Sequence, residues 1–238
     1  NRSNQLTILY KATEILNNNK LFDSPEFKEI LQLFDHLSIE MKYYSKFFHN
    51  SYKTITSISN VKLKIFITGI RKTDNTFKCN KIIKSVRFDR IVESINEYSF
   101  KNCYSLIDVS IPVSILTIGP GAFEGCYSIK SIRIPPSVTS IECGVFKGCS
   151  DLSEISLPDT IKSIGSNAFY GCSSLKEFYV PRSVLSIGDY AFYRCSSLEK
   201  IFIPFLVSSI GEFAFSRCSA LKEASIPASV NSIGKKSF

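Results

Sequence analysis

The chain has 238 residues, of which 44% are hydrophobic, and a formal net charge of +8. This size and composition fit a folded chain of one large domain or two ordinary ones, and they exclude a disordered chain. No apolar run approaches the roughly 20 residues of a membrane-spanning helix, so we expect no membrane-spanning segment.

The positive charge is unevenly placed. Residues 1–71 carry a net charge of +4, residues 72–94 carry +3 and residues 95–238 carry +1. The nearly neutral second half argues against a long basic groove, and we expect no nucleic acid partner. The basic front is compatible with an acidic partner, an anionic membrane or a polyanion, and equally with an ordinary solvated surface.

Residues 1–71 show mainly helical patterns. The apolar residues between positions 6 and 16 indicate a short helix, and residues 23–26 have the composition of a helix start, with Pro25 in the first turn. Apolar residues at helical spacing follow: Phe27, Ile30, Leu31, Phe34, Leu37 and Met41. The stretch from Val61 to Ile70 has strand character. We therefore expect a small, mostly helical N-terminal segment.

Two roles stay open for residues 1–71. The segment could be a terminal cap that covers the first unit of the array that follows. It could instead be a separate interaction module, because Pro25 to Phe48 resembles an F-box in its apolar pattern. An F-box joins a substrate-reading protein to a ubiquitin ligase.

Three residue types recur every 23 residues in the rest of the chain. The phenylalanines are Phe100, Phe123, Phe146, Phe169, Phe192, Phe215 and Phe238. The cysteines are Cys103, Cys126, Cys149, Cys172, Cys195 and Cys218, and the prolines are Pro112, Pro135, Pro158, Pro181, Pro204 and Pro227. A fixed period without insertions predicts an array of identical units, which bury their core between neighbours and leave a long surface free for binding.

Residues 164–186 show the pattern of one unit. Phe178 and Val180 alternate with Tyr179, and this period of two predicts a strand with one buried face. Pro181 ends the strand because it cannot donate a hydrogen bond to a neighbouring strand.

A second wall is predicted where Val184 and Ile187 return to the interior. Gly165 follows the isoleucine equivalent to Ile187, and we expect a turn with positive φ there. Asn96 and Glu142 replace this glycine in two units. Glutamate tolerates positive φ poorly, so we expect a local distortion in the unit at 141–163.

We place the array at residues 72–238, with a degenerate first unit at 72–94, 23-residue units over 95–232 and a partial unit at 233–238. In the first unit Asp89 replaces the proline and Asn80 replaces the cysteine, with Cys79 one place early. Other residues of that unit keep their columns, namely Phe77, Ile83, Val86, Phe88 and Val92.

The repeated cysteines should form a column of buried, reduced thiols. Rungs about 4.8 Å apart bring neighbouring Cα atoms within disulfide range, but their Cβ vectors run parallel and do not converge. A buried free cysteine behaves as a small hydrophobic residue. Cys79 and Cys143 lie outside the column.

The unit pattern resembles a leucine-rich repeat, and specifically the BspA-like class, whose pattern is roughly L-x-x-I-x-I-P-x-S-V-x-x-I-G-x-x-A-F-x-x-C. The match covers residues 95–238 in full and 72–94 in decayed form. The resemblance implies an α/β repeat fold, a leucine-rich-repeat solenoid with stacked parallel strands. Members of the family are often described as surface antigens or adhesins, which implies a cell-surface location and a host or extracellular-matrix protein as ligand.

No pattern in the chain indicates catalysis. The only histidines, His36 and His49, lie outside the repeats, and the motifs for phosphate binding, zinc proteases and serine nucleophiles are missing. No C-x-x-C spacing supports a zinc site. We expect no catalytic residue, no cofactor and no metal, and therefore no enzyme.

One outward column of the strands contains two large aromatic residues. This column reads Ser110, Arg133, Ser156, Tyr179, Phe202 and Ser225. Tyr179 and Phe202 could form a cross-strand pair that only strengthens the sheet, or they could form a binding hot spot.

Charged residues flank the aromatic pair and alternate in sign from rung to rung. One column reads Lys176, Glu199, Lys222 and the next reads Glu177, Lys200, Glu223, an order that favours pairing between strands. The predicted protein-binding residues are Arg133, Lys176, Glu177, Tyr179, Glu199, Lys200 and Phe202.

The strand from Leu221 to Ile226 should have an open outer edge. Either further repeats follow Phe238 or this edge pairs with a second copy of the chain. We expect continuation, because the last unit keeps the consensus up to its final residue, whereas terminal repeats are normally atypical.

Two functions from different classes follow. The first is a non-enzymatic protein-binding solenoid within a BspA-like surface or adhesion protein. The alternative is an intracellular adaptor, in which residues 1–71 recruit one partner and the repeats read a protein target.

Overall fold

The structure, a computed structural model, describes residues 40–43, 63–67, 73, 77–81 and 83–238. Sixteen strands follow one another in these residues: β1 Glu40–Tyr43, β2 Leu63–Ile67, β3 Ile83–Phe88, β4 Ser94–Ile95, β5 Asp108–Ser110, β6 Thr117–Ile118, β7 Ser131–Arg133, β8 Ser140–Ile141, β9 Glu154–Ser156, β10 Ser163–Ile164, β11 Glu177–Tyr179, β12 Ser186–Ile187, β13 Lys200–Phe202, β14 Ser209–Ile210, β15 Glu223–Ser225 and β16 Ser232–Ile233. Every pairing between them is parallel. The predicted solenoid of stacked parallel strands is confirmed.

Each full rung contributes one segment to each of three walls, and the three walls surround a common core. The long-strand wall consists of β1, β2, β3, β5, β7, β9, β11, β13 and β15, and its ladder is interrupted between β5 and β7 and between β9 and β11. The short-strand wall consists of the two-residue strands from β4 to β16. The turn wall is formed by the turns that follow the short strands.

The turn wall has its own ladder of hydrogen bonds between rungs. The amide of Phe100 donates to the carbonyl of Ala122 at 2.8 Å, and the amide of Phe169 donates to that of Ala191 at 2.7 Å. The same bond recurs along the wall, so the backbone of the turns is satisfied by the next rung and not by helix formation.

Two strands precede the predicted start of the array at residue 72. Glu40 in β1 pairs with Lys64 in β2, and Lys64 pairs with Ser85 in β3. These offsets of 24 and 21 residues differ from 23, so a search for a fixed period does not find them. Strand β2 lies within the stretch that strand propensity predicted.

The last residue of the predicted helical pattern, Met41, lies in a strand and not in a helix. Met41 lies in β1 and is in register with Ile65, because pairing with the next rung satisfies its backbone groups in parallel-strand geometry. The remaining residues of that helical pattern lie outside the described residues. His36 and His49 do so too. The division at residue 71 and the role of residues 1–71 stay predictions.

A stack of phenylalanine rings runs through the core. Successive ring centroids lie 5.1 to 5.8 Å apart and successive planes are within 17° of each other. The stack comprises Phe77, Phe100, Phe123, Phe146, Phe169, Phe192, Phe215 and Phe238. Phe178 of the long-strand wall meets Phe169 and Phe192 edge-on, at 4.9 and 4.6 Å. Each ring from Phe100 to Phe215 is therefore buried by the rings of the two adjacent rungs.

The cysteine column lies beside this stack and is fully reduced. The Sγ of Cys103 donates to the carbonyl of Phe77 at 2.9 Å, and the other five column thiols repeat this bond to the preceding rung at 3.0 to 3.3 Å. Burial raises the pKa of the Cys149 thiol to about 12. The column is thus a second link between rungs as well as apolar filling.

The glycine after each short strand has a different role from the one the sequence suggests. Gly165 does not have positive φ, and the expectation of a strained turn there is wrong. A Cβ on Gly165 would lie 2.8 Å from the backbone nitrogen of Cys143, and one on Gly119 would lie 2.5 Å from that of Glu97. Glycine is required because the backbones of adjacent rungs approach closely. Positive φ occurs two residues later, as at Gly121 and Gly144.

The distortion expected near Glu142 appears as a break in the short-strand wall. In other rungs the glycine amide donates to an isoleucine carbonyl of the preceding rung, as from Gly165 to Ile141 at 2.7 Å. No such bond joins Glu142 to Ile118, and β6 and β8 are not paired. Glu142 carries a Cβ where the following rungs have glycine, while the turn wall keeps its bonds across this break, as from Gly121 to Cys143 at 2.9 Å.

The described outer edges of β15 and β16 have no neighbouring strand. Apolar side chains that are buried in the other rungs are exposed here, with Ile233 and Phe238 at 51% and 49%. Continuation of the array beyond Phe238 and self-association through this edge both stay predictions.

The column thiols apart from Cys218, whose pKa is lowered by a hydrogen bond from Cys195, should be inert in the native protein. All of them should be free in the unfolded protein. A thiol reagent at about pH 8.5 should modify Cys79 and Cys143, which are exposed, and leave Cys149 unmodified because its thiol stays protonated and buried. After unfolding without reductant all eight cysteines should react. A count near two in the unfolded protein would contradict the reduced column.

Candidate protein-binding face

The outward side of the long-strand wall is built by the alternation of its three-residue strands. The central residue of each strand points into the core, as Phe178 and Ile201 do at 3% and 0% exposure. The residues on either side of it therefore point to solvent. Glu177 and Tyr179 flank Phe178, and all four flanking residues of β11 and β13 are exposed. The predicted binding residues of these strands lie on one accessible surface.

Tyr179 and Phe202 are direct neighbours in this surface. They are register partners in the β11–β13 pair and are 76% and 52% exposed. Neither ring makes an aromatic contact with a described residue, whereas stacked tyrosines occur elsewhere in the array. The cross-strand stacking that would make them purely structural is thus missing. The Tyr179 hydroxyl donates to Glu177 Oε2 at 3.2 Å, and this bond raises the pKa of Tyr179.

The alternating charges pair in part. Lys222 Nζ lies 3.4 Å from Glu199 Oε2, and Lys200 Nζ lies 3.6 Å from Glu223 Oε2. The corresponding pairs that would start from Lys176 and Glu177 do not form among the described residues. All these groups are exposed, so the two ion pairs stabilise the fold by about 1 kcal/mol at most. Lys176 and Glu177 remain available at the edge of the aromatic pair.

Arg133 lies on the same face but not beside the aromatic pair. It is exposed on β7, in register with Ser156 of β9, and the ladder is interrupted between β9 and β11. Its side chain borders a shallow depression of about 520 Å³ over β5, β7 and β9, where Asp108 and Glu154 are the acidic residues. The structure therefore separates Arg133 from the residues around Tyr179.

Two further apolar residues extend the aromatic pair. Phe205 and Leu206 follow Phe202 after Pro204 and are 82% and 57% exposed. They are not among the predicted binding residues, although Leu206 departs from the residue type that its column has in the other rungs. Other rungs have serine or threonine at the position of Leu206, and in four of them the hydroxyl donates to a carbonyl of the preceding rung, as from Ser183 at 2.5 Å.

The described residues contain no metal-binding cluster. No group of three or more His, Cys, Asp or Glu side chains could hold a metal ion within that part of the chain. The same residues contain no helix with the length and apolar character to cross a membrane. What the face can do chemically is to bind, through aromatic surface and exposed charge.

The repeats match the family model described as BspA type leucine rich repeat region (6 copies), over residues 26–153 and 139–238. The chain therefore belongs to the BspA-type leucine-rich repeat family. No curated protein matches the chain at a significant level.

Solved structures share the fold. A leucine-rich repeat protein of T. pallidum is 33% identical with a TM-score of 0.58, and the alignment covers 60% of this chain and 67% of that protein. A leucine-rich repeat protein of Bacteroides ovatus is 22% identical with a TM-score of 0.55, covering 83% of this chain and 67% of that one. The leucine-rich-repeat solenoid is thus established independently of the period in the sequence.

Proposed function

We propose that the protein is a non-enzymatic binding solenoid, and that the long-strand wall recognises a protein ligand around Tyr179 and Phe202. The exposure of these two rings without an aromatic contact is the observation that carries the proposal. Large aromatic side chains are the residues that most often dominate the energy of protein–protein binding. Left in water, the two rings contribute little to the fold.

The surroundings of the pair have the anatomy of an interface. Phe205 and Leu206 enlarge the apolar centre, and Lys176 and Glu177 stand beside it without an ion-pair partner. An apolar centre with a charged, hydrated rim is the usual arrangement in transient protein complexes. The rim charges would set orientation and association rate more than affinity.

Arg133 would belong to the outer part of the same interface. Seven long strands from β3 to β15 span roughly 30 Å at about 4.8 Å per rung, a length comparable with a standard interface. A ligand centred on Tyr179 that extends over this distance would reach Arg133. Arg133 would then contribute an electrostatic interaction that is weaker than the contacts of Tyr179 and Phe202.

The location we propose is the cell surface, within an adhesion or antigen protein, with a host or extracellular-matrix protein as ligand. Family membership is the support for this part of the proposal. The intracellular adaptor is the competing function, and it rests on residues 25–48, of which the structure describes 40–43 as strand β1.

Removing both rings should weaken binding and leave the fold intact. The variant Tyr179→Ser/Phe202→Ser should lose at least about 2 kcal/mol of binding free energy, a factor of roughly 30. Its free energy of unfolding should change by less than about 1 kcal/mol, because the rings are exposed. Binding can be measured by surface plasmon resonance against immobilised extracellular-matrix proteins, with stability measured by urea unfolding.

The matched control is Leu116→Ser/Leu185→Ser, which removes two apolar side chains that are 53% and 48% exposed directly before the short strands β6 and β12. It should bind like the unchanged protein. Equal affinity of the Tyr179/Phe202 variant for a verified ligand would refute the site. A large loss of stability in that variant would instead assign the pair to the sheet.

The surface location can be tested on intact cells that produce the protein. Added protease should digest it without lysis, while a cytosolic control protein survives. Full protection of the chain until the cells are lysed would contradict the surface role and favour the adaptor.

A further inference from the structure

A cluster of aromatic and basic side chains stands on the turn wall, away from the long-strand wall. We call it the basic-aromatic ridge, and it comprises Tyr190, Tyr193, Arg194, Phe213, Arg217 and Lys236. The rings of Tyr190 and Phe213 stack with centroids 4.9 Å apart, and Tyr193 meets Tyr190 edge-on at 5.5 Å. Tyr193 also stacks on Tyr170 of the preceding rung at 5.0 Å.

The basic groups of the ridge lie over these rings and keep their charges exposed. The guanidinium carbons of Arg194 and Arg217 are both 5.6 Å from the centroid of Tyr193. Lys236 Nζ is 5.9 Å from the centroid of Phe213. All three basic side chains are exposed, and none forms an ion pair with an acidic residue in the described chain.

Two acidic residues lie next to the ridge without neutralising it. Asp189 and Glu212 directly precede Tyr190 and Phe213 in the chain. Asp189 Oδ1 accepts a hydrogen bond from the amide of Glu212 at 2.7 Å, so this carboxylate is engaged with the backbone. The three exposed cations outnumber them, and Lys235 adds a fourth in the same column as the acids.

The backbone of the ridge is in an unfavourable conformation for these side chains. Tyr190, Arg194, Phe213, Arg217 and Lys236 all have positive φ, between 53° and 61°. In earlier full rungs the same places are occupied by glycine in five cases and by Tyr98, Asn102 and Asn167 in the others, all with positive φ. The glycines are Gly121, Gly125, Gly144, Gly148 and Gly171.

Glycine adopts this left-handed conformation freely, whereas any side chain with a Cβ is disfavoured there. The fold itself would therefore be served better by glycine at the two arginine positions. Residues held in unfavourable backbone conformations tend to occur at binding and catalytic sites. The two arginines stand where the earlier full rungs have glycine or asparagine, and this difference points to a function of the ridge that is separate from folding.

We propose that the basic-aromatic ridge binds a sulfated polysaccharide. Its cations extend along consecutive rungs spaced about 4.8 Å apart, which suits a linear polyanion better than a single anion. Arginine forms forked hydrogen bonds to tetrahedral oxyanions such as sulfate. The rings act as supports that hold the guanidinium groups in place through cation–π contacts.

A single-stranded nucleic acid fits the ridge less well. Such ligands bind by stacking bases on free aromatic faces. Here Tyr193 is covered by Tyr170 and the two arginines, and Phe213 is covered by Tyr190 and Lys236. The accessible surface of the ridge is therefore formed by charged groups and ring edges. A ligand would be recognised through charge and hydrogen bonds.

The test replaces both arginines by the residue that the earlier rungs use. Arg194→Gly/Arg217→Gly should weaken binding to heparin by at least about tenfold at about 0.15 M salt, since two charge-assisted contacts are lost. The melting temperature should stay the same or rise, because the backbone strain is relieved. If the two arginines had a purely structural role, the melting temperature of the glycine variant would fall. Binding is measured by isothermal titration calorimetry, with poly(dT) as the competing class of polyanion.

The matched control is Lys162→Ala/Arg182→Ala, which removes the same charge from exposed positions outside the turn wall. It should bind heparin nearly as well as the unchanged protein. If the glycine variant does not fold, Arg194→Gln/Arg217→Gln removes the same charges without changing the backbone requirement. Equal loss in the control, tighter binding of poly(dT) than of heparin, or no heparin binding at all would overturn the proposal.

Discussion

The fold depends on one constraint: a rung cannot bury its own phenylalanine. Each ring from Phe100 to Phe215 has its two faces covered by the rings of the rungs before and after it, at 5.1 to 5.8 Å. The same neighbours supply the turn-wall hydrogen bonds and accept the thiol bonds of the cysteine column. Stability in such an array is therefore shared between adjacent units, and an isolated unit has no core. This makes the spacing of the rungs regular, and regular spacing fixes where outward side chains stand.

Outward columns are free to vary because the inward columns define the fold. Two places depart from the rung pattern in ways that do not serve stability. Tyr179 and Phe202 expose aromatic surface on the long-strand wall, and Arg194 and Arg217 occupy glycine positions on the turn wall. In a repeat protein the consensus residues are sufficient for folding. Binding is therefore expected at residues that depart from the consensus. Two walls of one solenoid could then serve two ligands.

The sequence predicts the core of this protein well and its surface only in part. The 23-residue period locates Phe169 and its column, and alternation within the strand locates Tyr179, because both patterns report directly on burial. The strand β1 escapes detection, and β2 is predicted as a strand but not as part of the array, because their offsets differ from the period. The role of Gly165 was misassigned because a sequence does not distinguish positive φ from lack of space for a Cβ. The basic-aromatic ridge combines residues from columns that vary between rungs, so only the folded array brings Arg194 and Phe213 together.

Hydrogen exchange in a variant of the stack tests the central claim that adjacent rungs support one another. Phe169→Ala should create a cavity and destabilise the array by roughly 3–5 kcal/mol. Amide protection should fall most in the turn-wall bonds on either side of position 169, and progressively less toward Phe100 and Phe238. Loss of protection confined to the rung of residue 169, with its neighbours unchanged, would contradict the account.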